Sequence, residues 1–102
     1  MDNFIFDIET PLQFRVHTTH EYWQKILLKH PELEGRLKDV KQALLNPVEV
    51  RKSRRDDLIF LFYSDTERYW ICVVAKQDGA KGFLVTAYIT DSIKEGERVW
   101  PK

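Results

Sequence analysis

Three short stretches hold most of the residues that could do chemistry. Glu49-Val50-Arg51-Lys52-Ser53-Arg54-Arg55 brings a carboxylate, a hydroxyl and a run of cations together. Thr86-Ala87-Tyr88-Ile89-Thr90 places hydroxyls at alternate positions. Thr18-Thr19-His20-Glu21 sets an imidazole where a helix is expected to start. On extended backbone, alternate side chains face opposite sides of a sheet. Glu49, Arg51 and Ser53 therefore share one side of their strand, and Thr86, Tyr88 and Thr90 share one side of theirs. If the two sides coincide, one face gathers a carboxylate, a guanidinium, hydroxyls and Lys76. That set suits a phosphodiester. Arg and Lys would stabilise a pentacoordinate phosphate, a hydroxyl would orient it, and His or Glu would take the ribose 2′ proton. His20 is the candidate base, because a helix N-terminus disfavours imidazolium and keeps the ring neutral. Arg51, Thr86 and Tyr88 complete the candidate catalytic set, with Lys52, Ser53, Arg54, Arg55 and Lys76 as candidate RNA-binding residues.

Each of these has a plainer counterpart. The basic run is also what a solvated strand end and turn look like, and Thr86 and Thr90 are good strand formers on a wet face. Tyr88 could simply cover its neighbours. His17, at a strand end, reads as structural. His30 precedes Pro31 at a helix C-terminus, where an imidazole meets the last carbonyls favourably.

Other chemistries find no support in the pattern. His17 and His20 straddle a strand-to-helix boundary and no Cys or carboxylate cluster joins them, so neither a metal nor a cofactor is expected. There is no glycine-rich phosphate loop, serine elbow or dinucleotide fingerprint. Cys72 is the sole cysteine and sits in an apolar strand, where nothing stabilises a thiolate; it reads as a small buried hydrophobe.

A chain of 102 residues, 43% apolar and 13% aromatic, supports one domain spanning 1–102. Its net charge is zero but unevenly spread. Residues 1–35 hold three Lys/Arg against six Asp/Glu, 36–55 hold seven against two, and 56–102 hold six against eight. The basic segment is local, which is enough to bind phosphate. A neutral total argues against strong non-specific nucleic-acid binding. Met1-Asp2-Asn3 does not open like a secretory leader, and no apolar run approaches the ~20 residues of a membrane span. A soluble, cytoplasmic protein with no membrane partner is expected.

The elements that must position these groups follow from period and breakers. Residues 1–12 read as an N-terminal arm or edge strand, and Gln13 to His17 as a short strand. Thr19 is a plausible N-cap for a helix that buries Trp23, Ile26 and Leu27 and stops before Pro31. A second helix, Leu37 to Leu45, ends at Asn46-Pro47. Four strands then follow, over Val48–Ser53, Leu58–Tyr63, Tyr69–Lys76 and Gly82–Thr90. Turns this short make them antiparallel neighbours. Asp91 to Gly96 reads as a single capped turn, and Val99-Trp100 as a closure against the core. The expected fold is α+β, two N-terminal helices packed on one face of a four- to five-stranded antiparallel sheet.

In sequence order, HEYWQKILLKHPEL, VKQALLNPVEVRKSRRDD, FLFYSDTERYWICVVAK and GFLVTAYITDSIKEGERVW resemble phage-associated and mobile-element members of the barnase–EndoU–colicin–RelE (BECR) nuclease group. The resemblance spans about residues 14 to 100 and is carried most by NPVEVRKSRRD and the final segment. It implies a RelE-like fold of two helices on an antiparallel sheet, and a metal-independent endoribonuclease, in many members a toxin. The site it implies has a histidine near the first helix (His20), a basic residue on the first sheet strand (Arg51), and a hydroxyl and tyrosine on the last (Thr86, Tyr88). It implies tRNA or mRNA as substrate and an antitoxin or immunity protein as partner. The small ribosome-dependent toxins of that group are usually strongly basic, and this chain is neutral. Active residues also vary across the group, so fold does not certify cleavage. The alternative is a catalytically inactive RNA- or protein-binding module on the same face.

Overall fold

Thr19 marks the point where extended backbone turns into helix. Its φ of −104° and ψ of 162° are extended, and its Oγ1 accepts from the Tyr22 amide at 3.1 Å, which satisfies one of the helix's free donors. The computed structural model describes residues 3–102; of the arm or edge strand expected over 1–12, residues 1 and 2 lie outside the described residues. The chain runs β1 (Phe4–Glu9), β2 (Arg15–Thr19), α1 (His20–Lys29), a 3-10 turn (Pro31–Leu33), α2 (Leu37–Leu45), β3 (Glu49–Lys52), β4 (Ile59–Asp65), β5 (Trp70–Asp78), β6 (Lys81–Thr90) and β7 (Glu97–Trp100).

The expected sheet is corrected on two counts. Among the described residues it has seven strands, in the order β1-β2-β6-β5-β4-β3-β7, and it is mixed, because β2 runs parallel to β6. The meander β3–β4–β5–β6 is antiparallel throughout, as its short turns require. The additional strands come from both chain ends. Of the two expectations for the N-terminal segment, arm or edge strand, the second holds: Phe4–Glu9 is an edge strand paired with β2. The segment expected as a simple closure is β7, paired antiparallel with β3. β7 depends on a partner distant in sequence, which local pattern does not show, whereas β1 pairs with its neighbour β2 across a short turn. Asp91 to Gly96 forms no helical turn.

One face of the sheet carries the main core. Val50, Phe62, Ile71, Val73, Ala75, Leu84 and Ala87 point to it, and Trp23, Ile26 and Leu27 from α1 with Val40, Ala43 and Leu44 from α2 cover them. α2 packs against β4, β5 and β1, so the sheet curls around it. β2 pairs with β6 only as far as Phe83. Beyond that point α1 and the 3-10 turn run along β6 instead: the Tyr22 hydroxyl donates to the Val85 carbonyl at 2.7 Å, and the 3-10 turn touches β6. Val85 is the extra residue of a β-bulge, since Val74 pairs with Thr86 while Ala75 pairs with Leu84.

The opposite face has a smaller cluster of Leu61, Tyr63, Cys72 and Val74, flanked by Ile59, Trp70, Val85, Tyr88 and Ile93. Ile93 belongs to the connection between β6 and β7. Those strands stand four positions apart in the sheet, ~19 Å at the usual strand spacing. Seven residue steps from Thr90 to Glu97 reach at most ~25 Å. The connection therefore has little slack and crosses β5, β4 and β3 as a strap.

Candidate active site

Cross-strand register assembles the site. Arg51 pairs with Leu61, Leu61 with Val74, and Val74 with Thr86, forming one row across four strands. The next row is Glu49, Tyr63, Cys72 and Tyr88. Directly paired residues share a face, so Glu49, Arg51, Thr86 and Tyr88 lie on the same side, the face away from the main core. The coincidence of faces on which the sequence argument depended is present.

Arg51 is held rather than free. Its Nε donates to Glu49 Oε2 at 2.6 Å and its Nη1 to the Gly96 carbonyl at 3.3 Å. The two side chains are only 23% and 18% exposed, so the pair is largely withdrawn from solvent screening. Nη2 has no acceptor among the described residues and can address a ligand. Gly96 makes this close approach with φ +85°; a Cβ there would stand 2.7 Å from the Lys52 carbonyl and 3.0 Å from Arg51 Cβ.

The strap divides the face into two hollows. One, of about 470 Å³, is lined by Ser53, Arg54 and Arg55, by an apolar floor of Ile59, Leu61 and Val74, and by Tyr88, Lys94, Glu95 and Gly96. Arg54 and Arg55 are exposed and in no ion pair among the described residues. Ser53 Oγ accepts from the Arg55 amide at 3.1 Å, which fixes the turn that presents them. The second hollow, of about 150 Å³, lies beside Tyr63, Tyr88, Thr90, Asp91 and Ser92. Lys94 and Glu95 border both.

Beside the Glu49 carboxylate, the other three members of its row, Tyr63, Cys72 and Tyr88, are protonated at neutral pH. Burial pushes the Cys72 thiol up to about 11. Burial first, then the neighbouring thiol, then Tyr63 and the charge of Glu95 push the Tyr88 phenol well above its ordinary value; burial and the thiol also raise Tyr63, partly offset by its hydrogen bond with Tyr88. Both phenols are donors, and Cys72 is no nucleophile.

The remaining candidates divide. Lys76 Nζ lies 3.4 Å from Asp56 Oδ2. The Leu58 amide bonded to Asp56, with Lys76 nearby, holds that carboxyl below the usual carboxylate range, so Lys76 is already paired. Lys52 alternates to the other side from Arg51 and approaches Asp57 at 4.0 Å. His20 is exposed on the first turn of α1 and makes no hydrogen bond or ion pair to Arg51, Thr86 or Tyr88. The imidazole beside Tyr88 is that of His30, with ring centroids 6.4 Å apart and Glu32 Oε2 3.4 Å from its Nδ1. His17 stacks on Phe4, with ring centroids 4.2 Å apart.

The sequence marks His30 only as a helix C-terminal histidine, and Glu95, Lys94 and Arg98 are not among the expected site residues; Arg98 is exposed and paired with Arg51 across β3 and β7. Only Arg98 had a local signal, the alternation of Glu97 to Trp100. The others reach the site through the course of α1 and of the strap. Among the described residues no three or more His, Cys, Asp or Glu side chains group so as to hold a metal ion, and no helix is long and apolar enough to cross a membrane.

Compared with family models, with characterised proteins and with solved structures, the chain matches none.

Proposed function

We propose that the chain is a metal-independent endoribonuclease that cleaves tRNA or mRNA by attack of the ribose 2′-OH on the adjacent phosphate. The observation that carries this reading is the placement of Arg51 and Thr86 in one cross-strand row and Tyr88 in the next, on a face bordered by Glu95, Lys94 and His30. In the reaction a base takes the 2′ proton, the 2′-oxygen bonds to phosphorus, the bond to the 5′-oxygen breaks, and an acid protonates that oxygen. Glu95 is suited to the first role and His30, oriented by Glu32, to the last. Arg51 and the Tyr88 phenol stabilise charge developing on the phosphoryl oxygens. The resemblance of NPVEVRKSRRD and GFLVTAYITDSIKEGERVW to the BECR ribonucleases supports the same chemistry. A toxin role, with an antitoxin or immunity protein covering this face in the cytoplasm, follows from that resemblance.

One observation favours a second reading, a binding module without activity. Two of Arg51's donors are already engaged, by Glu49 and Gly96. Incubation of purified protein with total tRNA and a structured mRNA, in EDTA, separates the two. Cleavage leaving cyclic-phosphate ends, lost in Arg51→Ala, Tyr88→Phe and His30→Ala but kept in His20→Ala, supports the enzyme with this site. Loss in His20→Ala alone restores that residue and removes His30 from the mechanism. Retarded RNA that is never cut supports the module.

A further inference from the structure

The strap covers the outer face only between β6 and β7, and the other end of that face is bare. The register there continues as another row: Asp7 on β1, His17 on β2, Phe83 on β6, Lys76 on β5 and Ile59 on β4. Phe83 is 42% exposed and Phe4 36% exposed. Phe4 lies flat on the His17 ring, with centroids 4.2 Å apart and planes 26° apart. The charges in the row are matched. Asp7 takes Arg15 Nε at 3.1 Å, and Lys76 lies beside Asp56. What remains is an electrically quiet surface of π-faces, about two strand spacings (~10 Å) from Ile59, which floors the larger hollow.

A large apolar ring on a wet sheet face contributes little to folding when left uncovered. Flat rings next to a cation-lined groove are, however, the arrangement that binds unpaired nucleotides: bases stack on the rings and the backbone follows the cations. Arg54, Arg55 and Lys94 supply those cations here. Stacking needs a base released from a duplex, which restricts the substrate.

We infer that Phe83, with the Phe4–His17 stack, is a stacking platform for unpaired bases of single-stranded RNA lying across the outer face towards the hollow lined by Arg54, Arg55 and Lys94. The inference deepens the ribonuclease reading, but binding can be tested without turnover. Fluorescence anisotropy of a labelled single-stranded RNA oligonucleotide, and of the same sequence closed in a duplex, is measured with the full chain in EDTA. The Arg51→Ala background prevents cleavage. The Phe83→Ala and Phe83→Leu exchanges are each expected to weaken single-strand binding roughly tenfold. Phe83→Trp restores it, and binding to the duplex is weaker throughout and insensitive to these exchanges. Leucine binding as well as phenylalanine, or duplex binding as well as single strand, overturns the platform. Cleavage by the otherwise wild-type chain is scored separately. RNA bound through Phe83 but never cut removes the enzyme and leaves the platform. Cleavage of single strands indifferent to Phe83 does the reverse.

Discussion

Gly96→Ala tests whether the strap is clamped on the site. Gly96 has φ +85°, where an L-residue costs roughly 1–2 kcal/mol. Its Cβ would also meet the Lys52 carbonyl at 2.7 Å, Arg51 Cβ at 3.0 Å and Leu61 Cδ1 at 3.1 Å. The first two belong to a hydrogen-bonded strand and cannot step aside, so overpacking adds about another 1–3 kcal/mol. The expected loss is about 3 kcal/mol, against a total stability of roughly 5–15 kcal/mol for a domain of this size. Gly79→Ala is the matched control. Gly79 has φ +66° but nothing within 4 Å of its Cβ, so only backbone strain applies. Reduced freedom of the unfolded chain offsets part of that, leaving about 1 kcal/mol. Urea denaturation of the two variants should give midpoints that differ by about 2 kcal/mol in stability at unchanged m. RNA cleavage should fall in Gly96→Ala only, because Arg51 Nη1 loses the Gly96 carbonyl. Equal destabilisation within about 0.5 kcal/mol, close to the reproducibility of such comparisons, would refute the clamp.

Glu49→Gln removes the negative charge from Arg51 while keeping a hydrogen-bond acceptor; RNA binding should tighten severalfold at low salt as stability falls by about 2 kcal/mol, measured by anisotropy and urea titration. The Cys72 thiol has a folded value of about 11 against an ordinary 9.0, so between these limits the unfolded chain releases a proton that the folded chain keeps. Stability is therefore full below pH 9 and declines as pH rises through this window, and Cys72→Ala should flatten that slope in pH-dependent urea titrations. A thiol-specific reagent at pH 8 should leave Cys72 unmodified until denaturant is added. Thr19→Ala should cost about 1 kcal/mol through the lost cap, and Thr19→Ser should recover it.

The helices and the central meander were legible because their signals are local. Thr19 caps, Pro31 and Pro47 stop, and apolar residues recur at helical spacing over Trp23 to Leu27 and Leu37 to Leu45. From Glu49 onwards the period changes to two. The same period placed Glu49 with Arg51 and Thr86 with Tyr88, but two strands known only by parity leave two relative orientations. Register through Leu61, Val74, Tyr63 and Cys72 resolved them. His20 was favoured over His30 on a helix-end argument, which says nothing about where the helix lies. The Tyr22–Val85 bond and the bare edge of β6 set that course, and it carries His30, not His20, to Tyr88.

Period, capping and turn chemistry determined which segments are helix and which are strand, since those forces act within a few residues. The parallel pairing of β2 with β6, the addition of β7 to β3 and the strap between β6 and β7 were decided only in the folded chain. Their hydrogen bonds and contacts join residues tens of positions apart, and no local pattern records such partners. Register along the meander puts Arg51 and Tyr88 on one face, the strap brings Glu95 to it, and the course of α1 brings His30 beside Tyr88.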